Sequence, residues 1–440
     1  MPVFVQRCIN VECSTEFRLD EQRYVCSRCG DLLDLERTEP PAQAAASLRA
    51  LWLERRKSQD SRDRSGVWRF REFLPFDADD AVVSLGEGNT PLYDAPRCAE
   101  FCDLNTLRLK HQGNNPTGSF KDTGMTVAVT QARKINARLV ACASTGNTAA
   151  SLAAYAARAR MLCAILVPEG QVSDAKLAQA LDYGAKVLEI EGNFDVCMRV
   201  IQELAEKDLY LVNSINPFRI EGQKTVAFEL AEQLQWEVPD HLVVPGGNLG
   251  NSSAFGKGFR ELFGHGLTQQ QPRISVIQAE GAAPFARFFA GAQVNERPAE
   301  FVNEQHPQTL ATAIKIGAPV SWKKAWRAVH ETGGRVITVT EQEIADAKAM
   351  IGRDGVGCEP ASATTVAGIR KLVKDGFIKR DESVVAVLTG HVLKDTDYVI
   401  RYHNETLEAS GEKIRGTFAN AILRVAARPC AIESVLKNLT

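Results

Sequence analysis

The sequence predicts an α/β protein with mostly parallel sheets flanked by helices, and three observations lead there. From about Leu107 onward, short apolar runs alternate with helix-like segments, strand then helix, over most of the chain. Three of these strands end in turns rich in glycine, asparagine or serine that open directly into a helix. Ahead of this pattern stand four cysteines in the first 30 residues, in a turn-rich segment that belongs to no such alternation.

Taken in order, residues 1–34 read as a small cysteine ribbon, and Pro40–Pro41 marks a boundary. The stretch that follows, to about Gly66, reads as a linker and an amphipathic helix ending in a charged run. The strand candidates are then TLRLK (106–110), LVACA (139–143), LCAILV (162–167), KVLEI (186–190) and LYLV (209–212). A second set follows at HLVVP (241–245), RISVIQA (273–279), RVITVT (335–340) and SVVAVL (383–388). Such continuous apolar runs fit parallel strands covered on both faces. The last forty residues lack a strong apolar strand and are expected to form a helical appendage.

Composition excludes several classes. With 52 Lys plus Arg against 54 Asp plus Glu, the formal charge is -2, and nothing draws the chain to nucleic acid or an anionic membrane. No run of ~18 apolar residues appears, and the start MPVFVQRCINVEC has no basic segment followed by an apolar one, so neither a membrane span nor secretion is expected. Eleven cysteines, an odd count scattered through apolar stretches, suit reduced thiols in a cytoplasm.

The chemistry concentrates in the three turns. In HQGNNPTGSFKDTG a helix is expected to begin near Ser119, which puts Lys121 on its first turn, where the positive end of the helix dipole disfavours a cation. A neutral lysine amine is the nucleophile that forms a Schiff base; the plainer alternative is a solvated helix-start lysine. At ASTGNTAAS, Ser144, Thr145, Asn147 and Thr148 offer polar groups and a helix N-terminus that suit a carboxylate or phosphate, or else only cap the helix. At VVPGGNLGN, Gly246, Gly247 and Gly250 let the backbone approach an anion, without matching either nucleotide-binding glycine signature.

With these motifs in view, the chain resembles the threonine synthases, pyridoxal-phosphate enzymes of fold type II with the tryptophan synthase β-subunit-like fold. The resemblance runs from about Gly86 to Asp397 through GEGNTPL, NPTGSFKDTG, ASTGNTAAS, NSINPFRIEGQKT, PGGNLGN, CEPASA and LTGHVLKD. It implies a large cofactor domain from residues 35–125 and 222–400, a small domain from 126–221 and the appendage from 401–440. It further implies that Lys121 carries pyridoxal 5'-phosphate as a Schiff base and that Asn147 binds the phenolic oxygen. Gly247, Asn248, Leu249, Gly250 and Asn251 would cradle the cofactor phosphate, and Thr389 would sit at the pyridine nitrogen. The substrate implied is O-phospho-L-homoserine, its phosphate held by Ser214, Asn216 and Arg219 with Thr148 and Lys224. The products would be threonine and phosphate, made by γ-elimination and addition of water at Cβ, and a homodimer is expected.

Other readings stay open. A threonine or serine dehydratase, or a cysteate synthase-like relative, would share the cofactor motifs, and Arg219 read alone could be a solvent-facing helix residue. A catalytically inactive amino-acid-binding scaffold would keep only the fold. Cys8-x4-Cys13 and Cys26-x2-Cys29 form two knuckles that can supply four thiolates to a structural zinc, although the first is longer than the common C-x2-C; the alternative is a metal-free ribbon.

Overall fold

Two parallel sheets organise the chain in a computed structural model that describes residues 3–170, 174–192, 194–205, 209–294, 300–420 and 422–437. The larger has six strands in the order Val336–Val339, Arg273–Ala279, His241–Pro245, Val384–Leu388, Arg108–His111 and Leu92–Asp94. All its pairings are parallel except the last. That edge strand, inside the turn-rich GEGNTPLYD, is three residues long and was not expected from the sequence. The smaller sheet pairs Lys186–Ile190, Leu162–Pro168, Leu139–Ala143 and Leu209–Leu211, all parallel.

Alternation places successive side chains on opposite faces, and the inner strands of both sheets are covered on both faces, whereas the edge strands Lys186–Ile190 and Leu92–Asp94 are exposed or half-buried. Leu109, Val243, Ile277 and Ala386 enter one core of the larger sheet, whereas Leu242, Val244, Ile274, Val385 and Val387 enter another. In the smaller sheet Val140, Cys142, Ile165 and Val167 face one core and Ala141, Ala143, Ala164 and Leu166 the other. This is why the inner strands read as largely apolar runs.

Three helices carry the turns of interest, and glycines let them cross closely. They are Lys121–Lys134, Pro217–Gln233 and Gly250–Gly264. A Cβ on Gly222 would stand 1.9 Å from the Thr123 carbonyl oxygen, and one on Gly258 would stand 2.6 Å from that of Lys224. Any larger residue would push the helices apart. The first helix begins at Lys121, two residues later than expected, because Ser119 is bridged to Gly390 and Phe120 N–H donates to the Thr389 carbonyl at 2.9 Å.

At the N-terminus, Phe4–Cys8 pairs antiparallel with Glu16–Phe17 and Leu33–Arg37. At the other end, the helix Thr396–His403 is followed by a small hairpin of Glu408–Ala409 and Glu412–Lys413, whose Leu407 and Ile414 pack against Tyr398 and Tyr402, and by a helix Pro429–Lys437. Among the described residues no helix is long and apolar enough to cross a membrane.

Candidate active site

A cavity of about 1360 Å³ opens where both sheets present strand ends and the following turns. Its lining includes Lys121, Ser144, Thr145, Asn147, Thr148, Ser214, Arg219, Gly247, Asn248, Leu249, Gly250, Asn251 and Thr389. Residues from all three turns thus meet in one place.

Lys121 sits on the wall with no ion-pair or hydrogen-bond partner for its Nζ among the described residues, 4.0 Å from the Phe120 ring centre. Burial lowers its pKa to about 7, and the charge of Arg219 adds to this while Glu359 opposes it. The helix end alone is therefore not what neutralises the amine; desolvation is the larger influence. Arg219 is 2 % exposed, and among the described residues its guanidinium reaches only the Val212 carbonyl, at 3.4 Å, with Nε unpartnered. Burial lowers it to about 10. A buried arginine with no carboxylate within ion-pair distance among the described residues, lining a cavity beside a lysine amine, fits an anionic ligand.

The glycine turn supplies the matching donors. Leu249 adopts φ +64° at the start of its helix, and the N–H groups of Gly247, Asn248, Leu249, Gly250 and Asn251 have no hydrogen-bond partner among the described residues. Such a nest of free N–H groups at a helix N-terminus suits a phosphate. The helix Asn147–Ala159 likewise starts with no side-chain cap. Thr389 Oγ1 donates to Glu359 Oε1 at 3.1 Å and lies 3.1 Å from Ser362 Oγ. An aldehyde cofactor bearing a phosphate fits this set: an amine that burial makes neutral near pH 7, a nest of free N–H groups, and hydroxyl and amide groups lining the same cavity.

Three sequence-predicted residues lie elsewhere. Gly246 turns the strand end against Val276 and Gln278, where a Cβ would stand 2.6 Å from Val276 Cγ1, and it does not line the cavity. Asn216 spends its side chain locally, accepting from Phe218 N–H at 3.0 Å and donating to the Leu211 carbonyl at 2.8 Å. Lys224 is fully buried and bound to Glu221 at 2.6 Å and Glu261 at 2.7 Å, so it is not a helper for a substrate phosphate. Missed in the sequence were Gln223, Lys394 and Glu359, which line the cavity. All three stand inside motifs of the resemblance, Gln223 in NSINPFRIEGQKT, Lys394 in LTGHVLKD and Glu359 in CEPASA, but nothing local told their side chains from their neighbours'.

At the ribbon the four ligand sulfurs of Cys8, Cys13, Cys26 and Cys29 all lie within 4.8 Å of one another. Cys8 and Cys29 are 3.4 Å apart and Cys13 and Cys26 3.7 Å, a spacing near that of a tetrahedral thiolate set.

An α/β fold with a lysine, an anion nest and an unpaired arginine in one cleft defines a cofactor-dependent enzyme. The model of the pyridoxal-phosphate dependent enzyme family matches residues 83–390. A threonine synthase of Methanocaldococcus jannaschii is 45 % identical over 406 residues, covering 92 % of this chain and 96 % of that one. One of Methanosarcina acetivorans is 45 % identical over 392 residues, covering 89 % and 92 %. Among solved structures, the processed form of threonine deaminase isoform 2 from Solanum lycopersicum superposes with a TM-score of 0.59 at 20 % identity, covering 80 % of this chain and 86 % of that one, and so shares the fold. The chain belongs to the pyridoxal-phosphate dependent enzymes and, among them, to the threonine synthase family.

Proposed function

We propose that the chain converts O-phospho-L-homoserine and water to L-threonine and phosphate. The observation that carries this is the buried Arg219, with no carboxylate within ion-pair distance among the described residues, in one cavity with the Lys121 amine and a nest of free N–H groups. A dehydratase acting on free threonine or serine has one phosphate to bind, that of its cofactor; here the nest serves that purpose and Arg219 is left over.

Lys121 would hold pyridoxal phosphate, Gly247 to Asn251 its phosphate, Asn147 its phenolic oxygen and Thr389 its ring nitrogen. When bound, this group supplies the electron sink that lets bonds at Cα, Cβ and Cγ of an amino acid break and re-form. Arg219 and Ser214 bind the substrate phosphate, and Ser144, Thr145 and Thr148 at the helix start receive its carboxylate. The Lys121 amine, neutral above about pH 7, takes protons from Cα and Cβ and returns them at Cγ and Cα. Arg219 and Ser214 retain the departing phosphate close to Cβ, where it can accept a proton from the incoming water.

The same reading gives residues 35–125 and 222–400 to a large domain and 126–221 to a small one, a zinc ion to the four ribbon thiolates, and a cytoplasmic homodimer to the assembly. The test is phosphate release from O-phospho-L-homoserine with threonine measured as product. Threonine and phosphate in equal amounts support the proposal. Deamination of free threonine or serine without phosphate release would replace it with the dehydratase reading.

A further inference from the structure

Among the described carboxylates lining the cavity, Glu359 alone is buried, at 4 % exposure, and the mechanism above gives it no task. It is the N-cap residue of the helix Pro360–Lys374, yet its side chain does not cap that helix. One carboxylate oxygen accepts from Asn147 Nδ2 at 3.0 Å and the other from Thr389 Oγ1 at 3.1 Å. Room for it is built in, since a Cβ on Gly390 would stand 2.3 Å from Glu359 Cδ.

The surrounding hydrogen bonds fix which way each proton can point. Ser362 Oγ accepts from the N–H groups of Thr389 at 2.8 Å and Gly390 at 3.2 Å. A hydroxyl has one hydrogen, so Ser362 is left to donate its own to Thr389 Oγ1, 3.1 Å away. The Thr389 hydrogen then has two directions left, toward Glu359 or into the cavity.

We propose that Glu359 is a positioning residue whose own proton decides whether the Thr389 hydroxyl donates to the carboxylate or to the cofactor's ring nitrogen, while it holds the Asn147 amide beside the phenolic oxygen. This rests on the pyridoxal phosphate reading above. A neutral Glu359 donates to Thr389, whose hydrogen then turns into the cavity toward an unprotonated nitrogen. An ionised Glu359 takes that hydrogen for itself and leaves the nitrogen facing an oxygen lone pair, which favours a protonated, more strongly electron-withdrawing ring. Burial is the largest influence on this carboxyl and raises it above its ordinary range, opposed by the bonds from Asn147 and Thr389 and by the charges of Lys121 and Lys394. The buried thiol of the neighbouring Cys358 also feels its charge.

The experiment follows the ring-nitrogen chemical shift of bound ¹⁵N-labelled pyridoxal phosphate against pH, beside cofactor titrations of the apo protein. Wild type is compared with Glu359→Gln and Glu359→Ala. The carboxamide of Glu359→Gln offers an oxygen to Asn147 and an N–H to Thr389, so it copies the neutral acid. The ring nitrogen is expected to shift with pH in wild type and to stay fixed in Glu359→Gln, whose cofactor Kd remains within about threefold. Glu359→Ala, losing both bonds, should bind the cofactor about tenfold more weakly. The same ring-nitrogen titration in wild type and Glu359→Gln would overturn the proposal alone. A wild-type chain that binds no pyridoxal phosphate would overturn the functional reading with it.

Discussion

Arg219 and Lys224 lie five residues apart on one helix, 2 % and 0 % exposed, yet their surroundings differ in kind. Arg219 faces the cavity and has no carboxylate within ion-pair distance among the described residues. Lys224 belongs to a dense charge cluster with Glu221, Glu261, Lys257, Asp34, Lys324 and Arg327. There the charges answer one another. Burial alone would raise the Asp34 carboxyl, but Lys257, Lys324 and Arg327 hold it well below the carboxylate range. Burial would likewise lower Lys257, which Asp34, Glu221 and Glu261 hold above its usual value. A buried charge that is matched inside the protein is structural, and one left unmatched waits for a ligand.

The largest expected effect breaks the unmatched side. Lys121→Ala should abolish the cofactor's lysine-bound absorbance band and lower kcat on the order of 10⁴-fold or more. Cofactor that can still be fixed to the mutant by borohydride would put another lysine in the role.

On the matched side, Asp34→Ala removes from the ribbon strand the carboxylate that serves Lys257 at 3.1 Å and Arg327 at 3.3 Å. Stranding buried cations costs ~3–5 kcal/mol, read as a drop in unfolding free energy by denaturant titration. A mutant as stable as wild type would show that the cluster carries no such weight.

A smaller effect is expected at the ribbon tip. Metal analysis should find about one zinc per chain, and the change of Cys26 and Cys29 to serine should remove it and lower the thermal midpoint. Metal-free protein of unchanged midpoint would leave the four thiols as a ribbon without an ion.

Much of this was legible in the sequence, for a physical reason. The inner strands are covered on both faces, so LVACA, HLVVP and RISVIQA read as largely apolar runs that stop at turn residues, whereas KVLEI is an edge strand, exposed or half-buried throughout; all four match the expected limits. The helix Pro217–Gln233 shows the opposite case. Its first fifteen residues are all buried, so no polar stripe tells which side meets the cavity, and Lys224 looked as available as Arg219. Asn216 misled because a helix-capping asparagine and a ligand-binding one look alike beside a proline. The place of Glu359 depends on a bond to Asn147, 212 residues away in sequence, and no local spacing encodes it.

The central claim, that Arg219 is held unpaired for the substrate phosphate while Lys224 is paired for the fold, is tested most directly by making Arg219→Met and Lys224→Met side by side. Each is measured for kcat/KM with O-phospho-L-homoserine and for unfolding free energy. A charged hydrogen bond to phosphate is worth ~1.5–3 kcal/mol, so Arg219→Met should lose roughly 10- to 150-fold in kcat/KM while remaining at least as stable as wild type. Lys224→Met should lose about 3 kcal/mol of stability or more, with kcat/KM of the folded enzyme within a few-fold. The reverse pattern, a stable and impaired Lys224→Met beside an unstable and fully active Arg219→Met, would contradict the account.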